Sequence, residues 1–258
     1  MNESAYGFKR PNFTRFNPTV NGALHIGHLY MMLVNEAEAH ESGGQFTVRF
    51  DDNQVVYRYG LPWTGEFLTA EEIYDLKAEM VEDIIWCRVK VDRWTSQEAR
   101  EQRIERFMRF LNKGMELPVK RCYTSQVNPE VRWMPFDGAY PYVPYLTAEK
   151  VLNDYLDGCN LIIRGEDLLD EWALYNYFAD SWGLPIPRQV FLKRLRLVSE
   201  DNNPLDIRKK LGGKCINSYR EQGWSPDELK AKLAEACLID PTKPWLVENC
   251  KPEPAWNS

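Results

Sequence analysis

TRFNPTVNGALHIGHLYMMLVNEAEAHESGGQFTVRFDD, residues 14–52, decides how the rest of the chain folds. It opens as an apolar strand through Phe16 and turns through Pro18 and the Asn21-Gly22 pair. A helix then runs from about His25 to His40. Leu29, Met32, Leu33 and Ala37 give it an apolar face, and Gly43-Gly44 ends it. QFTVRFDD returns as a second strand and completes one strand-turn-helix-strand unit, the opening of a doubly wound parallel sheet. The predicted class is therefore α/β with a Rossmann-like sheet.

Outward from this unit, AEEIYDLKAEMVEDII predicts an amphipathic helix between Leu68 and Val89, and EAREQRIERFMRFLNKG another that ends at Gly114. The Pro-, Tyr- and Arg-rich stretch from Glu116 to Pro144 reads as irregular. NLIIR is a buried strand, GED a turn and LLDEWALYNYFADSWG a helix, which makes a second strand-helix unit. VFLKRLRLV reads as one further strand before the polar loop SEDNNPLD. In the last fifty residues YREQG and SPDELKAKLAEA are helical, with Ser225 as N-cap and Pro226 at the first helical position, and the final Pro-containing tail is a docked or frayed extension. The domain reading is an α/β unit over 1–200 that includes the irregular stretch at about 115–145, followed by a loop and a small helical region over 201–258.

The 258 residues suffice for one large α/β core. A hydrophobic fraction of 44% with 27% charged residues excludes disorder as the main description, and a net charge of -6 argues against a general nucleic-acid coat protein. The six cysteines lie apart, with no C-x-x-C pair and no histidine near enough to complete a zinc site. Reduced thiols, a cytoplasmic setting and no membrane partner are the expectation, because neither a signal peptide nor an apolar span is seen.

Chemistry concentrates at His25-Ile26-Gly27-His28, directly after a strand and turn and at a helix start. A helix N-terminus offers free N-H groups and a positive dipole end to a triphosphate. Two imidazoles three residues apart share one face and can donate to phosphate oxygens as charge develops. Gly27 has no side chain to keep an adenine ring off the backbone. These residues resemble the HIGH motif of class I aminoacyl-tRNA synthetases, and TRFNPTVNGALHIGH with VRFDD resembles the glutamyl/glutaminyl subgroup. DRWTSQEAREQRIERFMRFLNKG, Cys122-Tyr123-Thr124, LIIRGED and GWSPDEL extend the likeness, in the family's order, to about Leu233.

The resemblance implies the family's HIGH-type nucleotide-binding fold, with a short insertion and a small helical C-terminal region. It assigns ATP contacts to His25, Gly27, His28, Gly165, Glu166 and Asp167, although Glu166 and Asp167 read equally well as a helix-start acidic pair. It places Arg15 against the side-chain carboxylate of an amino acid, Thr19 beside that amino acid and Asp51 on its ammonium group, which needs an anion if buried. Arg164 stands where the glutamyl type has arginine and the glutaminyl type a smaller neutral residue, so Arg15 and Arg164 select glutamate through charge-assisted bonds. A pocket tyrosine is expected within YPYVPYL, and Tyr145 is chosen over Tyr142 against a core-packing role.

Two departures stand out. The family's KMSKS lysine, which stabilises leaving pyrophosphate, aligns with Ile207-Arg208-Lys209-Lys210; Lys209 is the catalytic candidate, with Arg208 and Lys210 as helpers, and a solvated basic loop is the alternative. Between Thr124 and Tyr140 about fifteen residues replace a large insertion that grips the tRNA acceptor end, and no anticodon-binding domain is expected. The resemblance thus implies Mg-ATP-dependent activation of glutamate or a close analogue as an adenylate, without zinc, and transfer to a non-standard acceptor such as a modified nucleobase, a metabolite or a carrier protein. A minimal glutamyl-tRNA synthetase acting on tRNA and a catalytically silent nucleotide-binding homologue are the competing readings.

Overall fold

The computed structural model describes residues 10–52, 68–96, 142–169, 171–193, 195–198, 204–205, 215–240, 242–250 and 255–257, without the side chains of 142–146, 196–198, 204–205 and 255–257. Strands β1 (Phe13–Phe16), β2 (Gln45–Phe50) and β3 (Arg93–Ser96) pair in parallel in that order. Strands β4 (Leu161–Gly165) and β5 (Arg188–Leu192) form a second parallel pair. β4 lies beside β1, where Asn160 N donates to Phe13 O at 3.1 Å and Phe13 N donates to Asn160 Oδ1 at 2.8 Å. Side by side the strands read β3-β2-β1-β4-β5. The winding reverses between β1 and β4, which is the switch point where doubly wound sheets open a crevice for ligands.

Helices α1 (Ile26–Glu41), α2 (Ala70–Trp86), α3 (Tyr142–Asp157) and α4 (Glu171–Ser181) stand between successive strands. α1 ends as its glycines require. Gly43 is left-handed at φ +75°, and a Cβ on Gly44 would collide with the backbone of Asn12. Leu29, Met32, Leu33 and Val34 of α1 are buried, each stabilising by about 1.5–3 kcal/mol relative to exposure. They join Phe46, Val48 and Phe50 of β2 and Ile163 of β4 in the larger core. Helices α5 (Ile216–Glu221) and α6 (Pro226–Ala236) add Ile216, Tyr219, Leu229 and Leu233 to the same cluster. As read from the sequence, Ser225 caps α6, accepting from Glu228 N at 3.2 Å, with Pro226 in the first turn.

The opposite face of the sheet differs. Ile162 packs there with Ala148, Val151 and Leu152 of α3 and Tyr175 and Phe178 of α4. Arg15, Arg49 and Arg164 project into this layer too and are met by acidic residues of the two helices.

Two readings change. The segment read as irregular to Pro144 turns helical at Tyr142, because proline is tolerated in a first turn, and α3 then continues to Asp157. VFLKRLRLV is two strands. β5 ends at Leu192, and β6 (Arg196–Val198) belongs to a separate small sheet, antiparallel to β7 (Pro204–Leu205) and parallel to β8 (Ala255–Asn257). The tail is therefore docked through backbone pairing. The predicted helix ending at Gly114 lies outside the described residues.

Asp83 of α2 is fully buried, and neither carboxylate oxygen has a hydrogen-bond partner among the described residues; Arg220 of α5 stops at 3.8 Å. Burial pushes this carboxyl up to about 7 against the charge of Arg220, and Glu79 and Glu82 add to the rise. The folded state thus keeps a proton that the unfolded chain releases at about pH 4, so stability falls as pH climbs from there toward 7. Asp83→Asn should flatten the decline of Tm between pH 5 and 8. A decline as steep as wild type would assign the effect to another group.

Candidate active site

The site lies at the C-terminal ends of β1, β2 and β4 beside the start of α1. His25 caps α1, and its ring stacks on His28 at 3.7 Å between centroids and 20° between planes. His25 N donates to His28 Nδ1 at 3.2 Å, so a neutral His28 ring carries its proton on Nε2. Phe16 packs edge-on against His28 at 5.8 Å. A Cβ on Gly27 would stand 3.1 Å from the His25 ring, so glycine is what lets the ring lie flat along the helix start. The start of α5 is fastened here as well. Ile216 N donates to Leu24 O at 2.9 Å, and His25 and Cys215 form an isolated bridge. Arg208, Lys209 and Lys210, a few positions earlier in the chain, lie outside the described residues.

β4 ends at Gly165 and passes through a 3-10 turn (Glu166–Leu168) toward α4. A Cβ at Gly165 would collide with the Asp167 carboxylate, which folds back over the strand end. Glu166 is paired with Lys193 at 2.7 Å on the surface.

Asp51 and Asp52 follow β2 and separate in role. Asp52 is buried and held by Ser96 Oγ at 2.7 Å and by Lys77. Asp51 is half-buried, bridged through its backbone to Thr19, whose hydroxyl donates to Asp51 Oδ2 at 3.3 Å. Burial pushes the Asp51 carboxyl up, and the charges of Lys150 and Arg49 oppose the rise.

Arg15 is not aimed at open solvent awaiting a carboxylate. It is 7% exposed, and Asp154 of α3 takes both its Nε at 3.0 Å and its Nη2 at 3.2 Å. The same carboxylate accepts from Arg49 Nη2 at 2.7 Å and from the Tyr175 hydroxyl at 3.2 Å, while Asp157 takes Arg49 Nη1 and Arg93, each at 2.9 Å. Burial alone would raise the Asp154 carboxyl, but Arg15 and Arg49 hold it down at about 2. Arg164, 4% exposed, meets Glu171 of α4 at 3.5 Å and Gln189 at 3.0 Å, and packs over the Phe191 ring at 5.2 Å. Its buried Nε has no hydrogen-bond partner among the described residues. Burial and the nearby charge of Arg15 lower its pKa, and Glu171 only partly compensates.

Thr19 thus meets Asp51, Arg15 lies close enough to Arg164 to lower its pKa, and Phe16, the neighbour of Arg15 in β1, packs on the His25–His28 stack. Tyr145 falls in the first turn of α3, with its side chain outside the described residues. Sequence reading missed Lys150, Asp154, Asp157 and Glu171. Their signal was present: Thr147, Lys150, Val151, Asp154 and Asp157 recur at helical spacing, and the two carboxylates follow a strand, VRF, that places Arg49 opposite them.

The family model for the catalytic domain of class I tRNA synthetases (E and Q) matches residues 13–117, which hold the His25–His28 start, Arg15 and Asp51. Over these residues the chain is similar to the class I catalytic domain of the glutamyl/glutaminyl type. The chain is 26% identical over 280 residues to glutamate--tRNA ligase 2 of Sphingopyxis alaskensis, covering 90% of the chain and 61% of that protein. It is 25% identical over 277 residues to glutamyl-Q tRNA(Asp) synthetase of Pseudomonas syringae pv. tomato, covering 88% of the chain and 84% of that relative. The glutamate-tRNA synthetase structure from Elizabethkingia anophelis superposes with a TM-score of 0.64 at 15% identity, over 92% of this chain and 64% of that one, a likeness of fold. The chain therefore spans about three fifths of the length of the glutamate--tRNA ligase relative.

The buried charge network has a measurable cost of disruption. Asp154→Ala leaves Arg15 and Arg49 without their shared carboxylate, and loss of one partner from a buried ion pair costs about 3–5 kcal/mol. Urea unfolding at pH 7 should show that loss. Because Asp154 is depressed, its contribution is present above about pH 4 and disappears as pH falls toward 2, so the gap between wild type and variant should close in acid.

Proposed function

We propose that this chain activates glutamate, or a close analogue, with ATP to give the aminoacyl-adenylate and pyrophosphate, and then transfers the acyl group to a non-standard acceptor. The observation that carries the reading is the pair of buried arginines at the switch point. Arg15 and Arg164 lie close enough for Arg15 to lower the pKa of Arg164, and Arg164 Nε has no partner among the described residues. A buried guanidinium with an N-H still to donate is complementary to a carboxylate and leaves an amide without the charge-assisted bond.

In this reading the side-chain carboxylate lies at Arg15 and Arg164, the ammonium at Asp51 beside Thr19, and the α-carboxylate toward the start of α1. The ATP phosphates lie at the helix N-terminus, where His28 Nε2-H and His25 donate to oxygens that gain charge as the α-carboxylate attacks the α-phosphorus. Gly165 and the Glu166-Asp167 turn line the nucleotide from the second strand-helix unit. Lys209, aided by Arg208 and Lys210, stabilises departing pyrophosphate. Mg2+ would enter with the nucleotide and offset the charge of its phosphates. Positioning and charge supply most of the rate.

The relatives that match most of this chain are named for glutamate and for tRNA, which favours tRNA, either at a base or at its acceptor end, as the second reading of the acceptor. The reduced stretch between Thr124 and Tyr140 supports the non-standard acceptor.

The reading is tested by amino-acid-dependent exchange of labelled pyrophosphate into ATP, across the twenty amino acids, with and without tRNA. Exchange with glutamate is expected; silence under both conditions would leave a nucleotide-binding homologue. In the same assay Arg164→Cys should weaken preference for glutamate over glutamine by about 1.5–3 kcal/mol, roughly 10- to 150-fold, with ATP affinity kept. An unchanged preference would remove Arg164 from specificity. Lys209→Ala should lower the exchange rate with little change in glutamate KM, and a wild-type rate would leave Lys209 in a solvated loop.

A further inference from the structure

Lys150 belongs to no part of the site assembled above, yet it stands inside it. It projects from α3 one turn before Asp154, on the face turned to the sheet. Its Nζ bonds both oxygens of Glu171, at 3.0 Å and 3.4 Å. Glu171 Oε2 also meets Arg164 Nη1 at 3.5 Å, so one buried carboxylate sets the spacing between this ammonium and the guanidinium. Lys150 is also the foremost opposing charge on Asp51.

Depth orders these groups. Arg15 and Arg164 are 7% and 4% exposed, whereas the Lys150 side chain is 20% exposed, Asp51 is half-buried and Thr19 is exposed. Two arginines, each already paired with a carboxylate, thus lie deepest, and a third cation stands with Asp51 nearer the surface. An α-amino diacid carries one carboxylate at its far end and, on a single carbon, an ammonium and a second carboxylate. The two patterns are complementary end to end.

We propose that Lys150 is the cation that receives the substrate's α-carboxylate, while Glu171 is a positioning residue that fixes the distance from Lys150 to Arg164. This assignment rests on the activation reading. On binding, the substrate carboxylate shares the Lys150 ammonium with Glu171. The reacting oxygen is thereby held nearer the surface, toward the start of α1, and no bond to Lys150 forms or breaks.

The test uses the whole chain and pyrophosphate exchange. Lys150→Gln should raise KM for glutamate by roughly 10- to 100-fold. Because glutamine has the same α-carboxylate, the glutamate-to-glutamine preference should stay as in wild type, and ATP KM should hold. Lys150→Arg should recover most of the affinity. An unchanged glutamate KM overturns the proposal, and so does a shifted glutamate-to-glutamine preference, which would put Lys150 on the side-chain carboxylate instead. If the glutamine variant fails to fold, the wild-type chain still decides. Glutamate should protect Lys150 from reductive methylation, read by mass spectrometry, and 4-aminobutyrate, which lacks the α-carboxylate, should not; equal protection or none overturns the proposal. Exchange absent from the wild type with every amino acid would sink the activation reading itself, whereas normal wild-type exchange with an indifferent Lys150→Gln variant sinks this assignment alone.

Discussion

The carboxylate of Asp154, shared between Arg15 of β1 and Arg49 of β2, is the interaction on which the rest of the structure depends. Two adjacent strands each turn an arginine toward the same face of the sheet, and no apolar helix could cover that pair without leaving buried charge unmatched. α3 answers with Asp154 and Asp157 one turn apart, which fixes both the rotation of the helix and its height along the strands. The sheet therefore has two unlike faces. One is packed with aliphatic and aromatic side chains under α1, α2, α5 and α6; the other combines a small apolar cluster with an ion network under α3 and α4.

That asymmetry makes a site possible. Arg15 is rigid because two of its nitrogens are already engaged by Asp154, and Arg164 is rigid because Glu171, Gln189 and the Phe191 ring hold it. A side chain fixed this way loses little freedom on meeting a ligand, which is the preorganisation that favours selective binding of a charged group. Arg15 and Arg164 stand on the neighbouring strands β1 and β4, and the start of α1 follows β1. The topology of the sheet thereby sets the residues proposed for charge selection beside those proposed for phosphate binding.

The likeness to known synthetases follows this division of labour. Residues 13–117 hold the strand-helix-strand unit with the histidine pair, and there the family model matches. The long relatives extend well beyond this chain, while glutamyl-Q tRNA(Asp) synthetase is matched over 84% of its length. The part held in common includes the histidine pair, Arg15 and Asp51, which are among the residues proposed above for activation. A shared fold does not fix the acceptor.

The linear sequence was enough for whatever depends on neighbours along the chain. The strand ending at Phe16, the helix starting at His25, its stop at Gly43-Gly44, the capped α6 and the strand NLIIR are all set by local periodicity, capping and glycine conformation. It also marked Arg15, Asp51 and Arg164. What tertiary structure alone decided is who meets whom across more than a hundred residues. Asp154 and Asp157 belong to a helix whose Pro-containing start obscured it, and an aspartate on an amphipathic helix looks the same whether it faces water or a buried arginine. Lys150 and Glu171 gain meaning only once α3 and α4 pack side by side. Local propensity is a property of short segments, whereas the pairing of buried charges is settled by the free energy of removing them from water together, and that is defined only when the sheet and its helices have closed around them.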